Sequence, residues 1–510
     1  MADPNRLPRM NEMATPADAL IAGLNPAQQA AVIHTGGPLL VVAGAGSGKT
    51  RVLTRRIAYL MAARGVRPYE ILAITFTNKA AGEMKERVAE LVGPVAQSMW
   101  VSTFHSACVR LLRLEAHRLG FSHSFSIYDS ADSLRLITIV AKELNLDPKR
   151  YPPRQFQSMI SNAKNELQGP QDYLNATTNQ FEQVVADVYA VYQKRLQSAN
   201  AMDFDDLILN TVKVIQRFPE AKARMRSRFR HILVDEYQDT NHAQYILVRE
   251  LTGSIEEGTP PAELCVVGDA DQSIYGFRGA TIRNILQFEL DYPNATTVLL
   301  EQNYRSTQNI LNAANAVITQ NASRKEKNLW TDSGAGAPLI GYVAESEHDE
   351  AEFVKDEIRS LQRNGTSEPG DTAIFYRTNA QSRVFEEVFL RSGIPYKVVG
   401  GVRFYERREV KDFLAYLRVL VNPEDEVSLR RIINTPKRGI GDRALDQIDL
   451  NGVIGFAYGS GFEAQPDLLT RIAQRMPLIG NLPDTVRRLK NAPGFFEVLG
   501  QLNIPHPEVS

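Results

Sequence analysis

Residues 43–50 read AGAGSGKT and residues 231–240 read HILVDEYQDT. In the first, Gly44, Gly46 and Gly48 let backbone N–H groups converge on phosphate oxygens without Cβ clashes, and Ala43, Ala45 and Ser47 complete the loop. Lys49 adds a point charge for the β and γ phosphates of a nucleoside triphosphate, and the Thr50 hydroxyl can bind Mg²⁺. The strict pattern opens on glycine, and Ala43 relaxes it there. A glycine-rich turn between strand and helix is the plain alternative; the GKT ending in that setting favours nucleotide binding. Asp235 and Glu236 close an apolar run, where ligands of open α/β sheets gather. Asp235 is expected to hold Mg²⁺, directly or through water, and Glu236 to orient and deprotonate an attacking water. An acidic pair capping a helix would look similar in isolation, but its place after a strand and downstream of a phosphate loop favours hydrolysis.

Further segments supply groups around such a centre. VVGDADQSIYGFRGA (266–280) ends a strand in a polar loop. Gln272 is placed to reach a γ-phosphate, and Asp269 and Asp271 to link that phosphate to neighbouring loops. Tyr275 and Phe277 beside Arg278 suit stacking on unpaired bases, although rings packed in a core would read the same. QNYRST (302–307) offers Tyr304 and Arg305 at the start of a helix. That is a poor electrostatic position for arginine unless it serves a phosphate. TFTNKAA (75–81) and STFHSACVR (102–110) each follow a strand and open a helix. Thr77 and Asn78 are therefore candidates for nucleic-acid phosphates, and Phe76 for a wedge between bases. His105 is read as a packed histidine with at most a linking or DNA-side role.

The elements that must position these groups follow from hydrophobic pattern. Residues 38–42, 71–75, 99–103, 231–235 and 264–269 are apolar without alternation and predict buried parallel strands. Between about 122 and 203 the pattern turns helical, as an insertion into the first α/β region. A second α/β region is expected from near Thr297, with strands at 296–302, 339–343, 371–377 and 395–399 and helices between them. At 510 residues the chain exceeds one core. A composition of 43% hydrophobic and 23% charged residues is that of a globular protein. No apolar run approaches ~18 residues, so no membrane span is expected. The N-terminus lacks the apolar core of a signal peptide and reads as a disordered tail. Cys108 and Cys265 sit in apolar contexts, which predicts buried thiols in a reducing compartment. A formal net charge of −1 does not announce a nucleic-acid partner, so any such site is a local patch.

Taken together the motifs resemble the superfamily 1 DNA helicases of the UvrD/PcrA/Rep type. LNPAQQAAV, AGAGSGKTRVL, ITFTNKAA, TFHS, MDFDDLI, VDEYQDT, GDADQSIYGFRGA, LEQNYRS, YRTNAQSR and GGVRFYERREVKD occur in that family's order. The resemblance implies an α/β fold of two RecA-like P-loop motor domains, each with a mostly helical insertion. It implies a tail over 1–20 and a first motor domain over 21–121 and 204–296, interrupted by an insertion over 122–203. The second motor domain would begin over 297–400, followed by a partial insertion over 401–510. By the same resemblance Gln28 reads adenine, Arg51 and Tyr304 hold its ring, and Arg305 is an arginine finger. Phe76, Phe204, Tyr275 and Phe277 handle single-stranded bases, with Phe277 where the family usually carries Trp. YQDT after the acidic pair points to the 3′→5′ branch. The implied activity is ATP-dependent unwinding in DNA repair and replication. Single-stranded DNA and its junctions with duplex would be the partner, repair or replication proteins would assist, and the setting would be cytoplasmic. The protein would act as a monomer or a DNA-driven dimer.

Two later motifs of that family, a His–Ser–Lys–Gly–Leu-type loop and an arginine-rich helix, are not found between Gly401 and Ser510, and the likeness fades after about Asp446. The second sheet is therefore expected to be incomplete and to expose an apolar edge. The alternative reading is a nucleotide- and single-strand-binding fragment with little turnover. A P-loop kinase or GTPase finds less support, since no guanine-reading segment is present.

Overall fold

In the computed structural model, residues 16–254, 257, 260–276, 279–321, 326–399 and 407–436 are described. The described residues divide into two compact units, one within 16–336 together with 415–436 and one within 337–414.

The first unit is built on a six-stranded, all-parallel sheet. Its strands are β1 (Leu39–Ala43), β2 (Ile71–Thr75), β3 (Trp100–Thr103), β6 (His231–Val234), β7 (Glu263–Gly268) and β8 (Thr296–Leu300), in the order β3-β2-β6-β7-β1-β8. Every residue of β1, β2 and β6 is buried, as their unbroken apolar runs require. Period two sorts their side chains between two cores. Leu40, Val42, Leu72, Ile74, Ile232, Val234, Leu264 and Val266 join one face, packed with residues such as Phe104, Cys108, Leu111, Leu207, Ile208 and Phe229. Leu39, Val41, Ala43, Ile71, Ala73, Leu233, Cys265 and Val267 join the other, with Val32, Val52, Ile57 and Met84. The sheet is therefore doubly wound, and both expected cysteine burials are found.

The helical insertion hangs from a second, two-stranded parallel ladder of β4 (Ser126–Tyr128) and β5 (Ala201–Asp203). Ladder pairs such as Tyr128↔Asp203 bring its two ends together. Between them run the helices Ser130–Glu143, Pro153–Asn165, Pro170–Asn175 and Gln180–Ser198 around Leu136, Phe156, Ile160, Tyr189 and Tyr192. Val427, from the helix Glu426–Ile432, enters the same core. Beside it the Tyr128 hydroxyl donates to Asp425 Oδ1 at 2.7 Å.

Two expectations are corrected. The strand at 296–302, assigned to the second region, lies in the first sheet as β8, in register with β1 from Leu39↔Thr296 to Ala43↔Leu300. The segments at 339–343, 371–377 and 395–399 form no ladder among the described residues. A strand exists only where neighbouring backbone answers its N–H and C=O groups. Here Glu345 N donates instead to Asp349 Oδ2 at 3.0 Å, and Arg377 N to Gln381 Oε1 at 2.9 Å. Val343 is 96% and Phe375 93% exposed, so the apolar exposure expected of an incomplete sheet is present. Taken by itself, this second unit carries the helices Glu347–Arg363 and Ser382–Ser392, which meet over Ala351, Ile358, Val388 and Phe389.

Candidate nucleotide site and aromatic surface

β1 runs into the glycine loop, and the helix Lys49–Ala62 leaves it. Gly46 and Gly48 have φ of +68° and +90°, the left-handed region that glycine tolerates. The loop is also closely walled. A Cβ on Gly44 would stand 2.2 Å from Leu329 Cδ2, one on Gly46 2.5 Å from Asn303 Nδ2, and one on Gly48 2.8 Å from Gln28 Nε2. Gly48 caps the helix without a side-chain hydrogen bond, which leaves the first-turn N–H groups for an anion. Ser47 Oγ turns back to the Gly44 carbonyl at 2.8 Å.

Gln28 is fully buried. Its Nε2 donates to the Ser47 carbonyl at 2.9 Å and its Oε1 accepts from Asn25 N at 3.2 Å. The expected adenine reader thus braces the phosphate loop. Asn25 also donates to Tyr304 Oη at 3.0 Å, which places the half-exposed Tyr304 ring on the same side. Arg51 donates to the Gly23 carbonyl at 3.0 Å. Tyr304 N donates to the Gly46 carbonyl at 2.9 Å, so Tyr304 and Arg305 lie against the loop within the first unit.

Lys49 reaches toward the acidic pair at the end of β6. Its buried ammonium has no hydrogen-bond partner among the described residues, while Glu236 Oε2 stands 3.3 Å away. Asp235 is 8% exposed. Burial, and then the Glu236 charge, push its carboxyl up to about 7. Glu236 holds a left-handed φ of +51°, rare for a residue with a side chain. Gln238 keeps it there: Nε2 donates to Glu236 Oε2 at 2.8 Å and Oε1 accepts from Asp269 N at 2.9 Å. Asp269 Oδ2 in turn accepts from Gln272 Nε2 at 2.6 Å. These donors fit magnesium triphosphate: an ammonium without a hydrogen bond, a glycine turn, a helix N-terminus and a buried carboxyl. Among the described residues no group of three or more His, Cys, Asp or Glu could hold a metal by itself. Thr50 and Asp235 are the residues that would hold Mg²⁺.

A second cluster lies past the carboxyl ends of β2, β3 and β7 of the same sheet and of β5 of the separate ladder. Phe76, after β2, stacks obliquely on Tyr275, after β7, with centroids 4.6 Å apart and planes at 36°. His105, after β3, meets Phe204, after β5, edge to face at 5.7 Å. Burial pushes the His105 imidazole down from its ordinary value. Phe204 is 48% exposed, an open face for a base. Thr77 Oγ1 caps its helix by accepting from Ala80 N at 3.1 Å, and Asn78 Oδ1 accepts from Ser106 Oγ at 3.4 Å. Phe277 and Arg278 lie outside the described residues.

Sequence reasoning missed three supports of these sites. Asn303, 2% exposed, donates to the Ala45 carbonyl at 2.6 Å and accepts from Arg305 N and Ser306 N, each at 2.7 Å. Gln238 sits inside the quoted VDEYQDT but was given no role. Lys164 is wholly buried against Asp203 at 2.7 Å and Asp206 at 2.8 Å, and so anchors the helix start that presents Phe204. Only the MDFDDLI string hinted that so many acids in one helix start need a cation.

Residues 24–293 match the family model described as UvrD/REP helicase N-terminal domain, and residues 298–460 match that of the UvrD-like helicase C-terminal domain. The chain is 60% identical over 494 residues to ATP-dependent DNA helicase UvrD1 of Mycobacterium tuberculosis (strain ATCC 25618 / H37Rv), a match covering 96% of this chain and 63% of that protein. It is 50% identical over 483 residues to ATP-dependent DNA helicase PcrA of Bacillus subtilis (strain 168), covering 94% and 64%. The chain thus spans a little under two thirds of these relatives.

Proposed function

Because this chain belongs to the UvrD/REP helicase family, we propose that it is an ATP-dependent DNA helicase that moves 3′→5′ along single-stranded DNA and unwinds duplex in repair and replication. The observation that carries the reading is the joining of a phosphate loop to an acidic pair through Lys49 and Glu236, 3.3 Å apart, on the sheet edge that also bears the Phe76–Tyr275 stack.

In this reading Lys49 and the loop N–H groups bind the β and γ phosphates. Mg²⁺, when bound beside Thr50 and Asp235, neutralises phosphate charge. Glu236 takes the proton of the attacking water, and Arg305 balances charge that builds on the γ-phosphate. Gln272 senses that phosphate and sits on the loop that continues to Tyr275. Gln28, Arg51 and Tyr304 frame the base of ATP. Phe76, Phe204, Tyr275 and Phe277 grip unpaired DNA bases, with Thr77, Asn78, His105 and Arg278 along the strand. The proposed domains are those of the family, with the second motor domain following β8, which belongs to the first sheet. The proposed setting is cytoplasmic, and none of the described helices is long and apolar enough to cross a membrane.

The test is ATP turnover with and without single-stranded DNA, joined to unwinding of duplexes with a 3′ or a 5′ tail. DNA-stimulated turnover with unwinding from the 3′ tail is expected; DNA-independent turnover or a 5′ preference rejects the reading. A second reading, a nucleotide- and DNA-binding fragment with little turnover, draws on the exposed, unladdered segments around Val343 and Phe375. Binding of both ligands without turnover would select it.

A further inference from the structure

Resting on the helicase reading, we propose that Lys327 is a positioning residue for ATP hydrolysis, fixing Asp269 and through it the Gln272 amide that senses the γ-phosphate.

The Lys327 side chain is only 3% exposed and its ammonium is bonded by both Asp269 Oδ1 and Asp271 Oδ2, themselves 2% and 9% exposed. Asp269 is the hub of the loop. Its Oδ2 accepts from Gln272 Nε2 at 2.6 Å, its Oδ1 accepts from Asp271 N at 3.0 Å, and its own N–H donates to Gln238 Oε1 at 2.9 Å. Gln238 passes the contact to Glu236 at 2.8 Å, which faces Lys49 at 3.3 Å. One continuous path therefore runs from Lys327 to both the sensing amide and the proposed base.

Two buried carboxylates this close repel each other and are costly to keep ionised without a cation. Lys327 supplies the cation. Without it, the two carboxylates are no longer held together and Asp269 is free to turn away from Gln272. The lysine also lies on a segment that reaches the phosphate loop by a second route. Two residues on, Leu329 walls Gly44, and the Trp330 carbonyl accepts from Asn303 N at 2.7 Å. Lys327 thus ties the stretch after the helix Gln308–Ile318 to the γ-phosphate sensor.

The experiment uses the full chain with Lys327→Met, Lys327→Arg, Gln272→Ala and the Gln272→Ala/Lys327→Met double variant. It reads kcat and KM for ATP at saturating single-stranded DNA, and the ratio of ATPγS to ADP affinity. Lys327→Met should lower kcat about tenfold with KM within about twofold, as expected for lost transition-state positioning. Its ATPγS-to-ADP ratio should fall to that of Gln272→Ala, Lys327→Arg should recover most of both, and the double variant should match Gln272→Ala alone. A folded Lys327→Met protein with unchanged kcat, or losses that multiply in the double variant, overturns the proposal. If Lys327→Met does not fold, Asp271→Asn/Lys327→Met removes the buried repulsion. That pair still leaves Asp269 buried without the Lys327 ammonium that holds it toward Gln272, so it should keep the kcat loss, and normal turnover there overturns the proposal equally. Absence of DNA-stimulated turnover in the parent would defeat the helicase reading itself, while the affinity ratio would still decide the role of Lys327.

Discussion

Lys49 and Glu236 meet at 3.3 Å although their parent strands, β1 and β6, are not neighbours; β7 lies between them. The lysine spans a strand to face the acid, and in the proposed function this crossing joins phosphate binding to water activation. Lys49→Ala should weaken ATP binding at least tenfold and lower DNA-stimulated turnover by about 10³-fold. Glu236→Gln should retain nucleotide affinity and lose about 10²–10⁴-fold in kcat, because only the proton acceptor is gone. Titration with a fluorescent nucleotide and steady-state turnover separate the two outcomes.

Gly46 and Gly82 should respond in opposite directions to alanine. At Gly46 the φ of +68° is strained for alanine, and the added carbon would stand 2.5 Å from Asn303 and 2.7 Å from Arg305 Cβ. A loss of at least about 1–2 kcal/mol is expected from the backbone alone, together with weakened nucleotide binding. Gly82, inside the helix Asn78–Val92, has nothing within 4 Å of its would-be Cβ. Gly82→Ala should stabilise the first unit by about 0.5–1 kcal/mol through helix propensity. Thermal midpoints of the two variants check both signs.

What the sequence disclosed was dense and local. The loop 43–50 and the pair Asp235–Glu236 each carry their chemistry within a few neighbouring residues, and the buried strands carry it in unbroken apolar runs. Lys327 was not legible, because it acts on residues 56 and 58 positions away and sits in no distinctive string; Asn303 lies inside QNYRST, but its bond to the Ala45 carbonyl reaches across 258 positions, which the string does not announce. The residues of β8 were correctly read as a strand and wrongly placed, since apolar pattern announces a strand but not its neighbour. At 339–343 and 371–377 the pattern is strand-like, yet pairing depends on backbone from elsewhere. Propensity alone does not provide it.

Acid should loosen the first unit through Glu263. Burial pushes this carboxyl up, but two Arg64 hydrogen bonds at 2.7 and 2.6 Å, with His231 3.5 Å away, outweigh it and hold it far below its ordinary range. A carboxyl with a lowered folded pKa adds stability that is complete above its unfolded value, about 4.3, and is lost as pH falls through the folded value. Glu263→Gln should therefore destabilise by about 2 kcal/mol at pH 7, with the gap to the parent narrowing below about pH 4. Thermal melts from pH 7 to pH 3 read it, and a gap constant across that range would exclude the linkage.

The Phe76–Tyr275 pair offers the sharpest test of the DNA surface. The rings come from loops after β2 and β7, with centroids 4.6 Å apart, and the Phe76 loop continues into a helix capped by Thr77. If unpaired bases stack here, Phe76→Ala removes π-surface and leaves the phosphate-facing groups in place. The affinity for single-stranded DNA should fall about tenfold, within the ~1–3 kcal/mol that a base–aromatic stack is worth. The slope of log affinity against log salt should not change, because that slope counts phosphates neutralised by cations, and none is lost. Phe76→Trp should bind at least as well as the parent. Fluorescence anisotropy at several salt concentrations measures all three. Parent-like affinity for Phe76→Ala would return the pair to an ordinary packing contact, and a shallower slope would mean that a phosphate contact had been disturbed instead.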